Sequence, residues 1–158
     1  MRHCIVRAAP TIQLDHEFVL DGWTAADGGS HRVFAEDAAA ARFFGWTVEE
    51  ARARPDAHYV GVVQRFKDEW AAGCRLSLAI RRTTTGEAVG AVELRLVDDA
   101  VEVSYVVAPA FRGQALAPRA LSALLEWAAR ELCVGRALLN CHVENVASKR
   151  WLRSAASP

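Results

Sequence analysis

The sequence has few of the residues that mark specialised classes of protein. Its 158 residues include four cysteines, one methionine and five prolines, and the basic and acidic residues balance at 19 each. A net charge of zero argues against a general binder of nucleic acid or anionic membranes, because both need a strongly basic surface. No apolar run approaches the roughly 20 residues that span a bilayer. Thr11, Gln13 and Asp15 interrupt the first apolar segment, so we expect no secretory signal.

The cysteines are too dispersed to form a metal-binding motif. No C-x-x-C pair occurs among the four cysteines, so we expect no metal site. They are Cys4, Cys74, Cys133 and Cys141. Thiols of this kind are usually reduced and buried, which favours a cytoplasmic protein. Cys141 precedes His142 in a predicted strand, where adjacent side chains point to opposite faces, and we therefore expect Cys141 to pack rather than to react.

The composition that remains is that of one globular domain. Hydrophobic residues make up 52% of the chain and charged residues 24%. A chain of this length forms one core more readily than two, so we expect residues 1–158 to form a single domain.

The first half of the chain predicts a strand followed by helices. Residues 12–20 alternate loosely and predict the strand, and Asp27 is a candidate helix cap. Thr47 and Glu50 form a capping box that predicts a short helix. A longer helix is predicted to begin at residues 55–56 and to end at Gly73. Its buried face is predicted to hold Val60, Val63, Phe66 and Trp70.

The hydrophobic period then changes to two. Residues 74–82, 88–96 and 101–107 predict three strands joined by short turns, and hence an antiparallel meander. An amphipathic helix with Pro118 near its start and Gly135 at its end follows. Its predicted stripe is Leu121, Leu124, Leu125, Ala128 and Leu132.

Residues 137–143 predict a further strand, and residues 145–155 a final helix. A strand–helix–strand unit of about thirty residues implies a right-handed crossover and parallel pairing. We therefore predict an α+β fold, with a mostly antiparallel sheet, one parallel strand pair and flanking helices.

The segment between strand 101–107 and the amphipathic helix is the most informative. Its loop carries Arg112, Gly113 and Gln114, followed by the small residues Ala115 and Ala117. The first turn of a helix presents unpaired N–H groups and a positive dipole end, which suits a phosphate. An ordinary turn with an exposed arginine is the alternative.

Three motifs resemble the GNAT superfamily of acetyl-CoA-dependent N-acetyltransferases. Residues 112–117 resemble its motif A, [QR]-x-x-G-x-[GA]. Residues 144–148, ENVAS, resemble its E-N-x-x-S helix opening, and residues 102–105, EVSY, are similar to a strand of the branch that acetylates ribosomal-protein N-termini. Residues 23–27 and 42–46 resemble the first helical region of that branch.

The resemblance implies a binding site for acetyl-CoA. The parallel strands would splay around the pantetheine arm, with the backbones of Val106 and Val107 bonding to it. Asn145 would bond to the same arm and Ser148 would help at the same helix start, with a plain helix cap as the alternative for Asn145. The motif A loop would hold the diphosphate. The loop residues are Arg112, Gly113, Gln114, Ala115, Leu116 and Ala117.

The acceptor side of the site is less determined by the sequence. The reaction would transfer an acetyl group to a primary amine, a protein N-terminus or a small molecule, and needs a base. Glu102 is the first candidate and Glu93 the second. Phe44 and Trp46 are candidates for the acceptor pocket, with core packing as the alternative. Tyr105 is expected to pack, and His31 and His58 to be solvated.

The sequence departs from the family pattern at three places. Ala115 replaces a glycine, and Leu152 stands where many relatives carry a tyrosine acid. Relatives continue into two more strands, whereas this chain stops at Pro158, so we expect the final β-hairpin to be missing. The exposed edge of strand 137–143 then favours a homodimer. A catalytically inert CoA-binding or interaction module is the alternative to an active enzyme.

Overall fold

The computed structural model describes residues 8–97, 100–132 and 136–139. The strands are β1 (Ile12–Gln13), β2 (Phe18–Asp21), β3 (Arg75–Arg82), β4 (Ala88–Val97), β5 (Ala100–Val107) and β6 (Ala137–Leu139). The helices are α1 (Gly28–Glu36), α2 (Ala38–Phe44), α3 (Val48–Ala53), α4 (Asp56–Ala72) and α5 (Leu116–Glu131). No helix within these ranges combines the length and apolarity needed to cross a membrane.

The six strands form one sheet in chain order. β1 to β5 pair antiparallel, and β5 pairs parallel with β6 from Val101 opposite Ala137 to Val103 opposite Leu139. The helix α5 connects the parallel pair, as the crossover rule requires. This topology confirms the predicted α+β class, the meander and the single parallel pair.

Helices cover both faces of the sheet. The predicted stripe of α5 packs on one face, where Leu121, Leu124 and Ala128 are buried against β3, β4 and β5. Residues of α1 and α4, including Phe34 and Phe66, pack on the other face. The second face therefore carries both an apolar cluster and the polar floor of a cavity.

The first predicted strand is wrong as a single element. Residues 12–20 divide into β1 and β2, because the Asp15 carboxylate accepts hydrogen bonds from the N–H groups of Glu17 and Phe18 at 2.7 and 2.8 Å. Asp15 thereby closes a turn, and the two short strands pair antiparallel. The alternating hydrophobicity was compatible with both arrangements.

The helix α4 confirms the predicted span and its end at Gly73, which lies at φ +71°. The predicted buried face was wrong at Val60, which is 45% exposed. Tyr59 and Val62 are buried instead, since they lie beside Val63 and Phe66 on the face that meets α1 and the sheet. The helix α5 ends earlier than predicted, at Glu131 with Leu132 as its cap, whereas Gly135 lies outside the described residues.

Asp27 precedes α1 but does not cap it with its side chain. The side chain is buried and forms a two-pronged ion pair with Arg81 of β3, with both N–O distances at 2.9 Å. Asp27 also accepts from the backbone N–H of Thr24 at 2.8 Å. This ion pair ties the segment before α1 to the sheet. The one described cysteine, Cys74, is exposed, contrary to the expected burial.

Candidate active site

A cavity of about 420 Å³ lies between the sheet and the N-terminal helices. Its floor consists mainly of alternate residues of β3, β4 and β5, with Tyr105 of β5 also in the lining. Its walls come from α1, α2, α4 and the segments joining them. This volume lies in the usual range of small-molecule sites. The floor includes Val106, one of the β5 residues assigned from the sequence to the acyl carrier.

Glu93 occupies the centre of the cavity floor. Its neighbours across the sheet are Ser77 on β3 and Ser104 on β5. The carboxylate lies 4.0 Å from the Nε of Arg75 and 3.6 Å from a terminal nitrogen of Arg95. The Glu93 side chain is 18% exposed, so it is accessible from the cavity while two guanidinium groups flank it.

Glu102 lies on the same side of the sheet but outside the lining of the cavity. It pairs with Arg95 across β4 and with Leu138 across β6, one row beyond Glu93 and Ser104. Glu102, Ser104 and Val106 share this face of β5, because strand side chains alternate between the two faces of a sheet. Of the two candidate bases, the structure brings only Glu93 to the cavity.

Phe44 and Trp46 both line the cavity. Their rings stack at a centroid separation of 5.5 Å and an interplanar angle of 10°. The indole N–H of Trp46 donates to the carbonyl of Ala35 at 2.8 Å, and the Arg54 guanidinium lies 6.0 Å from the Trp46 ring. The pair therefore forms a flat apolar wall beside a cationic group.

His31 is largely buried, so the prediction that it is solvated was wrong. Its ring lies within about 6 Å of the rings of Trp23, Tyr59 and Phe66. Its Nδ1 is buried and has no hydrogen-bond partner in the described part of the chain. Burial, assisted by the positive charges of His58 and Arg65, lowers the pKa of His31 from 6.5 to about 4. His31 is therefore a neutral imidazole at the wall of the cavity at pH 7.

His31 makes the stability of the protein depend on pH. Between about pH 6.5 and pH 4 the unfolded chain binds a proton that the folded chain does not, so the free energy of unfolding falls as the pH falls. The full loss amounts to about 3 kcal/mol at 1.36 kcal/mol per pKa unit. We expect His31→Gln to flatten this dependence in urea unfolding at several pH values. The exposed His16→Gln is the control, and an unchanged slope in His31→Gln would contradict the assignment.

The loop before α5 has the backbone that an anion site requires. Gly113 lies at φ +81° and Ala115 at φ +54°, and Ala115 is the helix N-cap without a side-chain hydrogen bond. Arg112 to Ala115 are exposed, so the N–H groups at the start of α5 are open to a ligand. The left-handed conformation at Ala115 costs about 1 kcal/mol relative to glycine, which explains why glycine suits this position.

Arg112 is directed away from the loop that it introduces. Its guanidinium contacts the Asp37 carboxylate at 2.6 Å, and its Nε donates to the Val107 carbonyl at 3.1 Å. Asp37 in turn caps α2 by accepting from the N–H of Ala40 at 2.9 Å. Burial raises the pKa of Asp37, but Arg112 and the capping bond outweigh it and lower that pKa overall. Arg112 therefore connects the end of β5 to the helix that carries Phe44.

The backbone at the end of β5 distinguishes Val107 from Val106. The N–H of Ala108 donates to the Val89 carbonyl at 2.8 Å. Because the polar groups of successive strand residues alternate in direction, Val106 faces β4 and Val107 faces the side where β6 pairs. The N–H of Val107 therefore points toward the parallel edge. A Cβ at Gly90 would lie 2.7 Å from the Val106 carbonyl, so glycine is required for this close approach of β4 to β5.

Sequence reasoning missed the arginines of the cavity. Arg54, Arg65, Arg75 and Arg95 all line it, and Arg75 and Arg95 follow the same alternation that placed Glu93. The period of two in residues 75–95 was the available signal for these two. Asn145 and Ser148, which the resemblance assigned to the acyl carrier, lie outside the described residues, as do Cys4, Cys133 and Cys141.

Solved structures with the same fold are numerous. A ribosomal L7/L12 alpha-N-protein acetyltransferase, RimL, in complex with coenzyme A is 18% identical, with a TM-score of 0.79 over 93% of this chain and 83% of that one. The Salmonella typhimurium acetyltransferase that modifies the N-terminal serine of protein L7/L12 gives a TM-score of 0.77 at 18% identity, over 93% and 84%. The microcin C7 self-immunity acetyltransferase MccE, with acetyl-CoA and AMP, gives 0.78 at 14% identity, over 96% and 84%.

Identities this low show the fold and no more, and no curated protein matches the chain by sequence. The family evidence is independent of the fold. The model of the GNAT acetyltransferase domain matches residues 17–155. The chain therefore belongs to the GNAT acetyltransferase domain family.

Proposed function

We propose that the protein transfers an acetyl group from acetyl-CoA to a primary amine, on a protein N-terminus or a small molecule. The observation that supports this proposal most directly is Glu93 at the centre of a cavity whose floor extends to Val106, at the end of the strand that leads into the α5 loop. The neighbouring structures bound to coenzyme A or acetyl-CoA support the same carrier.

Each part of the site has a role in this reaction. The N–H groups at residues 113–117 bind the diphosphate, and the N–H of Val107 donates to the carrier at the parallel edge. A carboxylate on the cavity floor accepts the proton of the amine while the N–C bond forms and the C–S bond breaks, and the thiolate leaves. Glu93 is better placed for this than Glu102. The stacked pair of Phe44 and Trp46 contacts the apolar part of the acceptor.

The alternative is an inert module that binds coenzyme A or a partner protein without turnover. The observation that favours it is Ala115, whose left-handed backbone places a methyl group in the loop expected to approach the diphosphate. The expectation of a homodimer across the edge of the sheet stays a prediction. Leu138 on β6 is 44% exposed and would be covered in such a dimer.

Binding and turnover separate the two proposals. We expect acetyl-CoA to raise the melting temperature, and mixing with a panel of primary amines to release free coenzyme A thiol. Gly113→Val should abolish the thermal shift, because a β-branched residue at φ +81° distorts the loop. Gly73→Val is the matched control, since Gly73 lies at φ +71° at the far end of α4. It should lower stability and leave the acetyl-CoA shift intact.

Each result has a distinct meaning. Thiol release that depends on the amine supports the enzyme. A thermal shift without release from any amine supports the inert module. A well-folded protein that ignores millimolar acetyl-CoA would overturn the acetyl transfer and the binding of coenzyme A by an inert module. A shift that survives in Gly113→Val would overturn the assignment of the diphosphate to the loop before α5.

A further inference from the structure

The charges around the cavity are strongly unbalanced. Four arginines line it, whereas Glu93 is the single acidic residue among the described residues of its lining. The chain as a whole has no net charge. The excess of positive charge is therefore a local property of this cavity and not a reflection of the composition.

Two of the four arginines are already paired. Arg75 contacts Glu69 at 3.4 Å and Glu93 at 4.0 Å, and Arg95 contacts Glu93 at 3.6 Å. These arginines hold the carboxylate on the floor. Their charge is largely compensated by groups of the protein itself.

Arg54 and Arg65 are in a different position. Within the described ranges neither forms an ion pair with a carboxylate, although both line the cavity. Arg54 lies over the face of Trp46, which holds its guanidinium beside the aromatic wall. His58 and Arg65 lie two turns apart on α4, with Val62 of the lining between them. Together Arg54, His58 and Arg65 form what we call the basic wall of the cavity, in which the two guanidinium groups carry the charge.

The pKa values of the two histidines of the lining are lowered partly by the positive charge of this wall. Burial is the largest cause that lowers the pKa of His58, and the charges of Arg54, Arg65 and Arg32 add to it. The charge of Arg65 also contributes to the lowered pKa of His31. A positive potential of this kind attracts an anion and disfavours a protonated amine.

We propose that the acceptor is an amine that also carries an anionic group, a carboxylate or a phosphate, which binds the basic wall of Arg54, His58 and Arg65 while its amine lies at Glu93. This inference rests on the proposed acetyl transfer. The floor and the wall of the cavity then have complementary roles, because Glu93 on the floor receives the proton and the basic wall fixes the position of the amine. The same positive charge lowers the pKa of the bound amine and so favours the free base that attacks.

The test uses short peptides with one variable side chain. Ser-Glu-Ala amide, Ser-Gln-Ala amide and Ser-Lys-Ala amide share a free N-terminus and lack a terminal carboxylate. A fourth peptide with phosphoserine at the second position distinguishes phosphate from carboxylate. Calorimetry in the presence of coenzyme A measures affinity, and thiol release from acetyl-CoA measures kcat/KM.

We expect the better of the two anionic peptides to bind about 10-fold or more tightly than the glutamine peptide, because an ionic hydrogen bond is worth that much. The lysine peptide should bind more weakly than the glutamine peptide and more weakly than the better anionic peptide. The double variant Arg54→Gln, Arg65→Gln should reduce the preference to about 3-fold or less. Arg52→Gln, at an exposed arginine of α3 outside the lining of the cavity, is the matched control and should keep the preference.

The outcomes distinguish this inference from the proposed function. Equal binding of the anionic, neutral and cationic peptides would overturn the inference, even if all of them release thiol. A preference that persists in the double variant would also overturn it. Selective binding of an anionic peptide without thiol release would support the basic wall and count against the enzyme. Selective binding with release, lost in the double variant, supports both.

Discussion

Glu93→Gln is expected to lower kcat by about 10²- to 10⁴-fold, the usual contribution of a general base. Glutamine has nearly the same size and shape as glutamate, but its amide does not accept the proton of the attacking amine. Glu93 lies in the cavity with a side chain 18% exposed, between Ser77 and Ser104. The loss therefore falls on the chemical step, and steady-state thiol release as a function of pH measures it.

Glu102→Gln is the matched comparison for Glu93→Gln. Both substitutions remove one carboxylate from the same face of the sheet, and both residues neighbour Arg95. Because Glu102 lies outside the lining of the cavity, we expect its replacement to lower kcat by less than about 10-fold. The thermal shift with acetyl-CoA should persist in both variants. A Glu93→Gln variant within about 3-fold of the wild type, beside an inactive Glu102→Gln variant, would move the base to Glu102.

The pH profile separates a base from a merely structural glutamate. The acidic limb of kcat/KM reports the essential base of the free enzyme. With an acceptor whose amine is unprotonated over the whole pH range, that limb should disappear in Glu93→Gln and remain in Glu102→Gln. If Glu93 acted only by holding Arg75 and Arg95, its replacement would raise KM and keep the limb.

The sequence was most informative where local patterns and the fold agree. The period of two placed β3, β4 and β5, and the stripe of α5 predicted its buried face. The capping box of Thr47 and Glu50 is present as expected, with each side chain bonded to the backbone of the other residue. In these elements each residue responds mainly to its neighbours in the chain, so a single sequence is sufficient.

The failures occurred where distant contacts decide the outcome. Asp27 is a good cap by residue type, yet Arg81, 54 residues later, binds its carboxylate. His31 is polar, yet Trp23, Tyr59 and Phe66 surround it. Similarly, Arg112 pairs with Asp37, 75 residues earlier in the chain, while its contact with a diphosphate stays a prediction. No local pattern in one sequence identifies partners that come from other elements.

The residues of the candidate site also differ in whether a local sequence pattern or only the tertiary fold indicates them. The loop at residues 112–117 could be proposed as an anion site from the sequence because a strand–loop–helix boundary is a local feature, and that role stays a prediction. The basic wall could not be proposed in this way, because Arg54 and Arg65 belong to the loop before α4 and to α4 itself, and only the tertiary fold turns them toward the floor of β4. Glu93 ranked second in the sequence for the same reason, since the position of the cavity was unknown.

Asp27→Asn is expected to lower the free energy of unfolding by about 3–5 kcal/mol, the usual effect of removing one partner of a buried ion pair. Asp27 is 4% exposed and Arg81 is 12% exposed in its side chain. Asparagine removes both short contacts of the buried Arg81 guanidinium and leaves it the Asp21 carboxylate, 3.9 Å from its Nε, as a more distant counter-charge. Arg81 also donates to the carbonyls of Gly22 and Gly86, so its displacement would loosen both segments.

Urea or thermal unfolding measures this loss, which corresponds to a decrease of roughly 10 °C in Tm for a chain of this size. The control is Asp56→Asn, because Asp56 pairs with Arg32 but its side chain is 94% exposed, and we expect a change below about 1 kcal/mol. Equal effects of the two substitutions would contradict the structural role of Asp27.

The same ion pair gives a second signature in acid. Burial raises the pKa of Asp27, but the hydrogen bonds from Arg81 and Thr24 outweigh it, so the folded-state pKa lies below the ordinary 3.8. The unfolded chain therefore binds this proton first as the pH falls, and the contribution is present above about pH 4 and lost below it. Asp27→Asn should remove this part of the acid dependence, whereas His31→Gln acts at higher pH, between about 4 and 6.5. An acid-unfolding curve whose low-pH limb is identical in Asp27→Asn and the wild type would show that this carboxylate is not held by Arg81 in solution.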